Sequence, residues 1–553
     1  MSENGGFVRK YAPVLFAVLY EVFFMTGGYF RRIAESRWAL FALPLLLLPT
    51  LFLPLGNDQA IFARGGEFLF NGGVLYRDYM DQKPPLIFIF YGIAQTLLGR
   101  SDVGIRLFDL LWQTGTMLSL AYTIGALSGK RIYGLTAAAL YGALYASMGH
   151  SETIQCETIA SPAIVWLLYL SVSGNRNSLR TIVLRGALAG LCFAAKFPLG
   201  IMLPVLILWE YFENSDLRRR VRNISSILAG FIVGTVAGLS PLFNGETASG
   251  YLYVLEYTRD YVNMIPANVE LLQLALKSTA TFLGDNISLI LVISMIAGIL
   301  TVVSGDMPRN GDGGSKLLIF SSFILIALLA SVMVERRFLP YHFTRSYVPF
   351  TIVATYGFLS VLSGVVRNYA YLSTQVKLLL ITICVCGLLF SPLPRVVKNC
   401  RMSFFSVTDS AASAGLLQQE NNPVLIAVDV RNTADFIRSR RQPGRTFVVA
   451  MNCSNTYRAL DERPFSRFTL PVYYYARVIP KGAYDQMLDE VRQARWIVIQ
   501  TNDVMPTLYG HNKSSWECVQ GDMVLYPYLT EHFTRAAEFG ALYVYERKGS
   551  AGR

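Results

Sequence analysis

The residues best suited to chemistry gather in one stretch. Residues 57–86, NDQAIFARGGEFLFNGGVLYRDYMDQKPPL, place Asp58, Arg64, Glu67, Arg77, Asp78, Asp81 and Lys83 between two strongly apolar segments. Smaller groups of charge follow at His150, Glu152 and Glu157, at Lys196, and in the run Glu335-Arg336-Arg337-Phe338-Leu339-Pro340-Tyr341-His342-Phe343-Thr344-Arg345. A carboxylate in a partly dry site can take up a proton, and cations there can hold an anionic group. Ionisable side chains at bilayer depth are costly, so their persistence in an apolar chain marks a functional region. Taken singly, each could serve solubility in a water-facing loop; their convergence on one membrane face argues for a site.

The surrounding chain must be what brings them there. Of 553 residues, 53% are hydrophobic and 16% charged, against about 25% charged in soluble domains. The chain therefore reads as an integral membrane protein. Apolar segments run from residue 38 to about residue 392, which makes residues 1–395 one helical membrane domain. Residues 400–553 carry polar and charged side chains at soluble density and form a second, water-exposed domain. The net charge of +12 fits basic cytoplasmic loops under the positive-inside rule rather than nucleic-acid binding. Seven cysteines without a CxxC pair exclude zinc spacing and a redox motif. Cys453 and Cys518 could pair if their domain lies outside the cytoplasm.

In chain order, residues 11–30 read as an interfacial helix flanked by arginines on one side, and Trp38–Leu55 as the first span. The central loop then extends over 57–105, with the short apolar piece 84–98 lying along the membrane surface. Further spans at 107–127, 132–148, 158–174, 182–195, 197–212, 224–242, 280–303, 317–334, 346–365 and 377–392 bring the total to about 11. Basic residues recur at alternate turns, which puts the N-terminus in the cytoplasm and the C-terminal domain outside. The pair 182–195 and 197–212, turning at Lys196-Phe197-Pro198, decides the parity. In the C-terminal domain, the strand-like runs PVLIAVDV, TFVVAMN, WIVIQT and ALYVYER alternate with helical stretches at 432–439 and 482–493. The expected fold is mainly α, a polytopic membrane bundle with a C-terminal extracytoplasmic α/β domain.

The combination of Asp58, LYRDYMDQKPPL at 75–86 and Gly99 followed by Arg106-Leu107 resembles the first outer loop of the GT-C glycosyltransferases. It is most similar to the bacterial protein mannosyltransferase-like and lipid A aminoarabinose transferase-like branch. GALAGLCFAAKFPLGIMLP at 186–204 and YHFTRSYVPFTIVATYG at 341–357 resemble later family segments. The resemblance implies an inverting transfer of one sugar from a polyprenyl-phosphate donor to a glycan, glycolipid or protein acceptor at the outer face of a bacterial inner membrane. By residue, it implies Asp58 as catalytic base and Lys83 as donor-phosphate ligand. Arg337, His342 and Arg345 are further phosphate candidates by charge and side. His150, Glu152 and Glu157 are acceptor or metal candidates, and Arg77, Asp78 and Lys196 complete the candidate set. The resemblance implies no definite cofactor, and a divalent metal is left open. Gln82 stands before Lys83 where some members have an acid, and Gln59 follows Asp58, which speaks against metal dependence. A transporter would show internal repeats, and no second copy of the Asp58–Lys83 loop exists. A polyprenyl-linked glycan ligase would place its key arginines and histidine in a late outer loop instead, and a non-catalytic scaffold would tolerate loss of Asp58.

Overall fold

The computed structural model describes residues 38–549 apart from 264–268, 283–288, 305–311, 337, 369–370, 372, 377–391, 409–426, 441–443, 450–453, 462–465, 469–481 and 505–511. The expected interfacial helix at 11–30, nearly all of the span at 377–392, Arg337 and Cys453 lie outside the described residues. The expected first span is not one α-helix. A turn of α-helix, Trp38–Ala42, passes into a 3-10 helix, Leu43–Thr50, with Pro44 at its start and Pro49 inside it. Proline lacks the N–H donor and clashes with the carbonyl four residues back, so the regular helix cannot continue.

The central loop is mostly helical. Helix α1 (Asn57–Phe70) starts at Gly56, and the side chain of Gln59 reaches back to accept from the Gly56 N–H. Its glycine face lies against α2 (Pro85–Leu98): a Cβ on Gly66 would stand 2.6 Å from the Gly92 nitrogen. Ser101 then caps α3 (Asp102–Ser128), its Oγ accepting from the Gly104 N–H at 3.0 Å. Helices α4 (Leu179–Ala195) and α5 (Leu217–Gly238) cross through facing GxxxG pairs. A Cβ on Gly186 would sit 2.0 Å from the Ile227 carbonyl oxygen, and one on Gly230 2.0 Å from that of Val183. These helices touch backbone to backbone, as close membrane packing requires.

The stretch Pro340–Ser346, a 3-10 helix, leads from α6 (Asp312–Glu335) into α7 (Tyr347–Asn368). By length and apolarity, three stretches among the described residues can cross a membrane: Leu217–Gly238, Gly313–Glu335 and Pro340–Val365. Shorter apolar helices stand at Ala39–Thr50, Pro85–Leu98, Ser161–Val172 and Leu291–Thr301. Large apolar side chains such as Ile232, Val233, Phe323 and Ile326 remain exposed on α5 and α6; hydrocarbon accommodates them and water does not. The chain is a multi-pass membrane protein.

The helix Leu393–Thr408 packs back onto these elements, with Asn399 Nδ2 donating to the Ala146 and Met148 carbonyls at 2.8 Å each. Beyond it stands a four-stranded sheet of order β1-β2-β4-β3, formed by β1 (Thr446–Val449), β2 (Trp496–Gln500), β3 (Phe533–Phe539) and β4 (Leu542–Arg547). β1 and β2 are parallel, and the remaining pairs are antiparallel. The run PVLIAVDV is not a strand where it is described: residues Ala427–Ser439 form a helix that buries Val430, Ala434 and Ile437. That helical spacing overrides the β-propensity of the valines. The sheet domain is fastened to the central loop. Arg64 Nη2 donates to the Tyr457 carbonyl at 2.9 Å, Arg458 pairs with Asp102 at 3.0 Å, and the Met80 N–H donates to the Arg467 carbonyl at 2.8 Å. One hydrophobic cluster runs across both parts and includes Met80, Tyr79, Phe88, Phe468 and Ile497.

Candidate active site

Asp58 lies in the first turn of α1, past the cap. The helix N-terminus favours its charge there, while its side chain makes no hydrogen bond or ion pair among the described residues. Lys83 ends the loop before Pro84-Pro85 opens α2. Its backbone is held on both sides: the N–H donates to Asp81 Oδ1 at 2.7 Å, and the carbonyl accepts from the Tyr76 hydroxyl at 2.8 Å. Its ammonium has no carboxylate in contact and lies 5.8 Å from the centre of the Tyr341 ring. Burial disfavours that ammonium, but the fields of Tyr341 and Asp58 outweigh burial and raise its pKa, so it stays cationic. Asp81 is buried beside it, and desolvation, reinforced by the charge of Asp58 and opposed by Lys83, pushes its carboxyl up to about 6.

A second set of charges is internally satisfied. Lys196, at the break after α4, places Nζ 2.5 Å from Glu157 Oε1 and 2.6 Å from Glu335 Oε1. Arg345 pairs with the same two carboxylates, 3.2 Å from Glu157 and closer to Glu335, and donates to Ser331 Oγ at 2.9 Å. His342 Nε2 lies 3.2 Å from Glu335 Oε1. The ligand atoms of Glu157, Glu335 and His342 all lie within 4.8 Å of one another. Two carboxylates and a histidine would suit a divalent cation, yet Lys196 and Arg345 already neutralise both acids. The cluster as it stands does not fit a metal. The Tyr341 ring joins the two sets, with Lys196 Nζ 5.7 Å from its centre.

The remaining sequence candidates divide by environment. Arg77 and Asp78 are largely exposed, pair with each other at 2.5 Å and, through Arg77, reach Glu246 at 2.5 Å. The His150 carbonyl accepts from Gln59 Nε2 (2.9 Å) and Arg106 Nη2 (2.8 Å), and Glu152 accepts from the Gly149 N–H within its own turn (3.1 Å). Sequence reasoning missed Asp81, Glu335 and Tyr341 as site residues. Asp81 lies two positions before Lys83 in the same charged loop, and Glu335 and Tyr341 stand in the charged run that ends at Arg345; both signals were available. Gln59 and the fully buried Arg106 are clips between α1, α3 and the turn at 147–155, with Arg106 also donating to the carbonyls of Leu53 and Pro54.

Comparison with known proteins adds the fold's relatives. A family model described as dolichyl-phosphate-mannose-protein mannosyltransferase matches residues 82–242. Among solved structures, ArnT from Cupriavidus metallidurans bound to undecaprenyl phosphate aligns with a TM-score of 0.53 at 15% identity, covering 93% of this chain and 98% of that one. The chain shares the fold of this ArnT. The apo form of the same ArnT aligns at 0.50 and 14% identity over 91% of this chain and 95% of that one. No curated protein matches the chain in sequence. Of the Asp58–Lys83 loop only Gln82 and Lys83 fall inside the stretch matched by the family model, Asp58 lies outside it, and α4 and α5 lie within it.

Proposed function

We propose that this protein is an inverting glycosyltransferase that moves a single sugar from a polyprenyl-phosphate carrier to a glycan, glycolipid or protein acceptor at the outer face of a bacterial inner membrane. One observation carries the reading: a carboxylate and an ammonium, Asp58 and Lys83, lie within electrostatic reach of each other and neither is in an ion pair among the described residues, in a chain that shares the fold of an ArnT. An ArnT of this fold binds undecaprenyl phosphate. Asp58 takes the proton from the acceptor hydroxyl as its oxygen bonds to C1 of the sugar. The bond from C1 to the phosphate oxygen breaks on the opposite side, and the electron pair leaves with the lipid phosphate. Lys83 stabilises the charge that develops on that oxygen. Arg345 and Lys196 hold the framework, since their charges are spent on Glu157 and Glu335, and His342 lies against Glu335.

The test is transfer from a panel of radiolabelled polyprenyl-phosphate sugars to membrane acceptors by purified wild-type protein and by Asp58→Asn. Label transferred by the wild type and lost in the variant supports the assignment. Transfer from no donor would remove the transferase reading, and equal transfer by both would remove Asp58 from it.

A further inference from the structure

The C-terminal domain makes contacts at the central loop. The segment 466–468 reaches into the central loop, where Phe468 pairs with Met80 in an isolated parallel bridge and the Arg467 carbonyl receives the Met80 N–H at 2.8 Å. Met80 is fully buried and Phe468 nearly so, both within the cluster that also holds Tyr76 and Tyr79. Arg467 is itself held, its guanidinium 5.4 Å from the Tyr253 ring centre and 4.7 Å from that of Phe468. One residue beyond Met80, Asp81 accepts the Lys83 N–H, and Tyr76 fixes the Lys83 carbonyl from the other side. Tyr76 has a left-handed backbone, φ +66°, a conformation unfavourable for a non-glycine residue, and it is kept there by the bond from its N–H to the Tyr79 carbonyl at 2.8 Å and by its ring lying 4.6 Å from that of Tyr251. The Lys83 N–H and carbonyl and the Met80 N–H are thus tied down, while the Lys83 ammonium has no carboxylate in contact.

We propose that the C-terminal domain positions the donor-phosphate lysine, through a relay from Phe468 and Arg467 to Met80, Asp81 and the Lys83 backbone, with Asp81 as the positioning residue. The inference rests on the transferase reading above and assigns this domain to the donor side of the site. A lysine on a loose loop spends part of its binding energy on being ordered, and pre-organisation removes that cost. Asp81 is suited to the task because a carboxylate accepts a shorter, stronger hydrogen bond than a neutral group.

The experiment measures the affinity of the full-length protein in micelles for undecaprenyl phosphate, in the wild type, Asp81→Ala, Asp81→Asn, Phe468→Ala, Lys83→Ala, and the double variants Asp81→Ala/Lys83→Ala and Phe468→Ala/Lys83→Ala. Asp81→Ala and Phe468→Ala each weaken binding tenfold or more, Asp81→Asn, which keeps the acceptor oxygen, stays within threefold, and neither double variant is weaker than Lys83→Ala alone. Losses that add in the double variants, or full affinity in Asp81→Ala and Phe468→Ala, overturn the proposal, because a residue that acts only on general stability does not lose its effect when Lys83 is absent. Should Phe468→Ala not fold, Arg467→Ala loosens the same segment without opening the core and is read in the same way. A wild type that takes up no carrier refutes the transferase reading and this inference with it, whereas equal binding by all variants except Lys83→Ala refutes this inference alone.

Discussion

Two lysines flank the Tyr341 ring at nearly equal distance, 5.8 Å for Lys83 and 5.7 Å for Lys196, and they answer oppositely to the same substitution. Lys196 is 7% exposed and bonded to two carboxylates, of which Glu157 is 1% exposed. With it, the cluster holds two acids and the two basic side chains that pair with them; replaced by methionine, it holds two acids and only Arg345. Removing one partner from a buried ion pair costs about 3–5 kcal/mol, because the remaining charge stays buried and uncompensated. That is a change of roughly a hundredfold to a thousandfold or more in the folded ratio. Lys83 has no carboxylate in contact, so Lys83→Met leaves no ion-pair partner buried and uncompensated and costs less than Lys196→Met. Equilibrium unfolding of both variants in micelles measures the difference. Equal loss of stability in the two, or an unchanged Lys196→Met, would refute the division into a structural and a functional lysine. The double variant Lys196→Met/Glu335→Gln restores the charge balance and recovers part of the loss.

Two further outcomes follow from the packing and the titration. Gly230→Leu forces a Cβ to within 2.0 Å of the Val183 carbonyl oxygen, so α4 and α5 separate and the thermal midpoint falls steeply, whereas Gly115→Leu on α3, where a Cβ meets nothing within 4 Å, leaves it within about two degrees. Asp81, held at about 6 in the fold and about 3.9 when unfolded, keeps its proton longer in the native state. Its contribution to stability is full below the unfolded value and is lost as pH rises through about 6, so the stability of Asp81→Asn relative to wild type increases by up to about 3 kcal/mol between about pH 4 and pH 7. Unfolding titrations at several pH values check the sign, and a relative stability that falls with pH contradicts it.

Local signals made much of this fold legible. WIVIQ is buried throughout and LYVYER buries Leu542, Val544 and Tyr545, and both are strands, as their β-branched and aromatic content implies. The glycines of α4 and α5 stand four apart in each helix, a spacing visible in the chain, though which helices they join is fixed only by the fold. What local pattern could not convey was partnership. Glu157 and Arg345 are separated by 188 positions and Lys196 and Glu157 by 39, and sequence marks them only as charges out of place. Residues 427–430 illustrate the opposite error: Val428 and Val430, with high β-propensity, belong to a helix because the helical spacing continues to Ile437. β3 escaped notice because Phe533–Phe539 carries Arg535 and Glu538 on a largely exposed edge, so no apolar alternation announces it. The Asp58–Lys83 loop was legible because charge was concentrated there, while the roles of Asp81 and Tyr76 depend on backbone contacts that side-chain chemistry does not reveal.

The central claim is that Asp58 moves the proton and Lys83 holds the donor phosphate. The most direct measurement is the donor-concentration dependence of sugar transfer in the wild type, Asp58→Asn and Lys83→Met at saturating acceptor. The account predicts that Asp58→Asn lowers kcat by about a hundredfold or more with donor KM little changed, and that Lys83→Met raises donor KM by at least tenfold. A wild-type kcat in Asp58→Asn, or a wild-type donor KM in Lys83→Met, would contradict it.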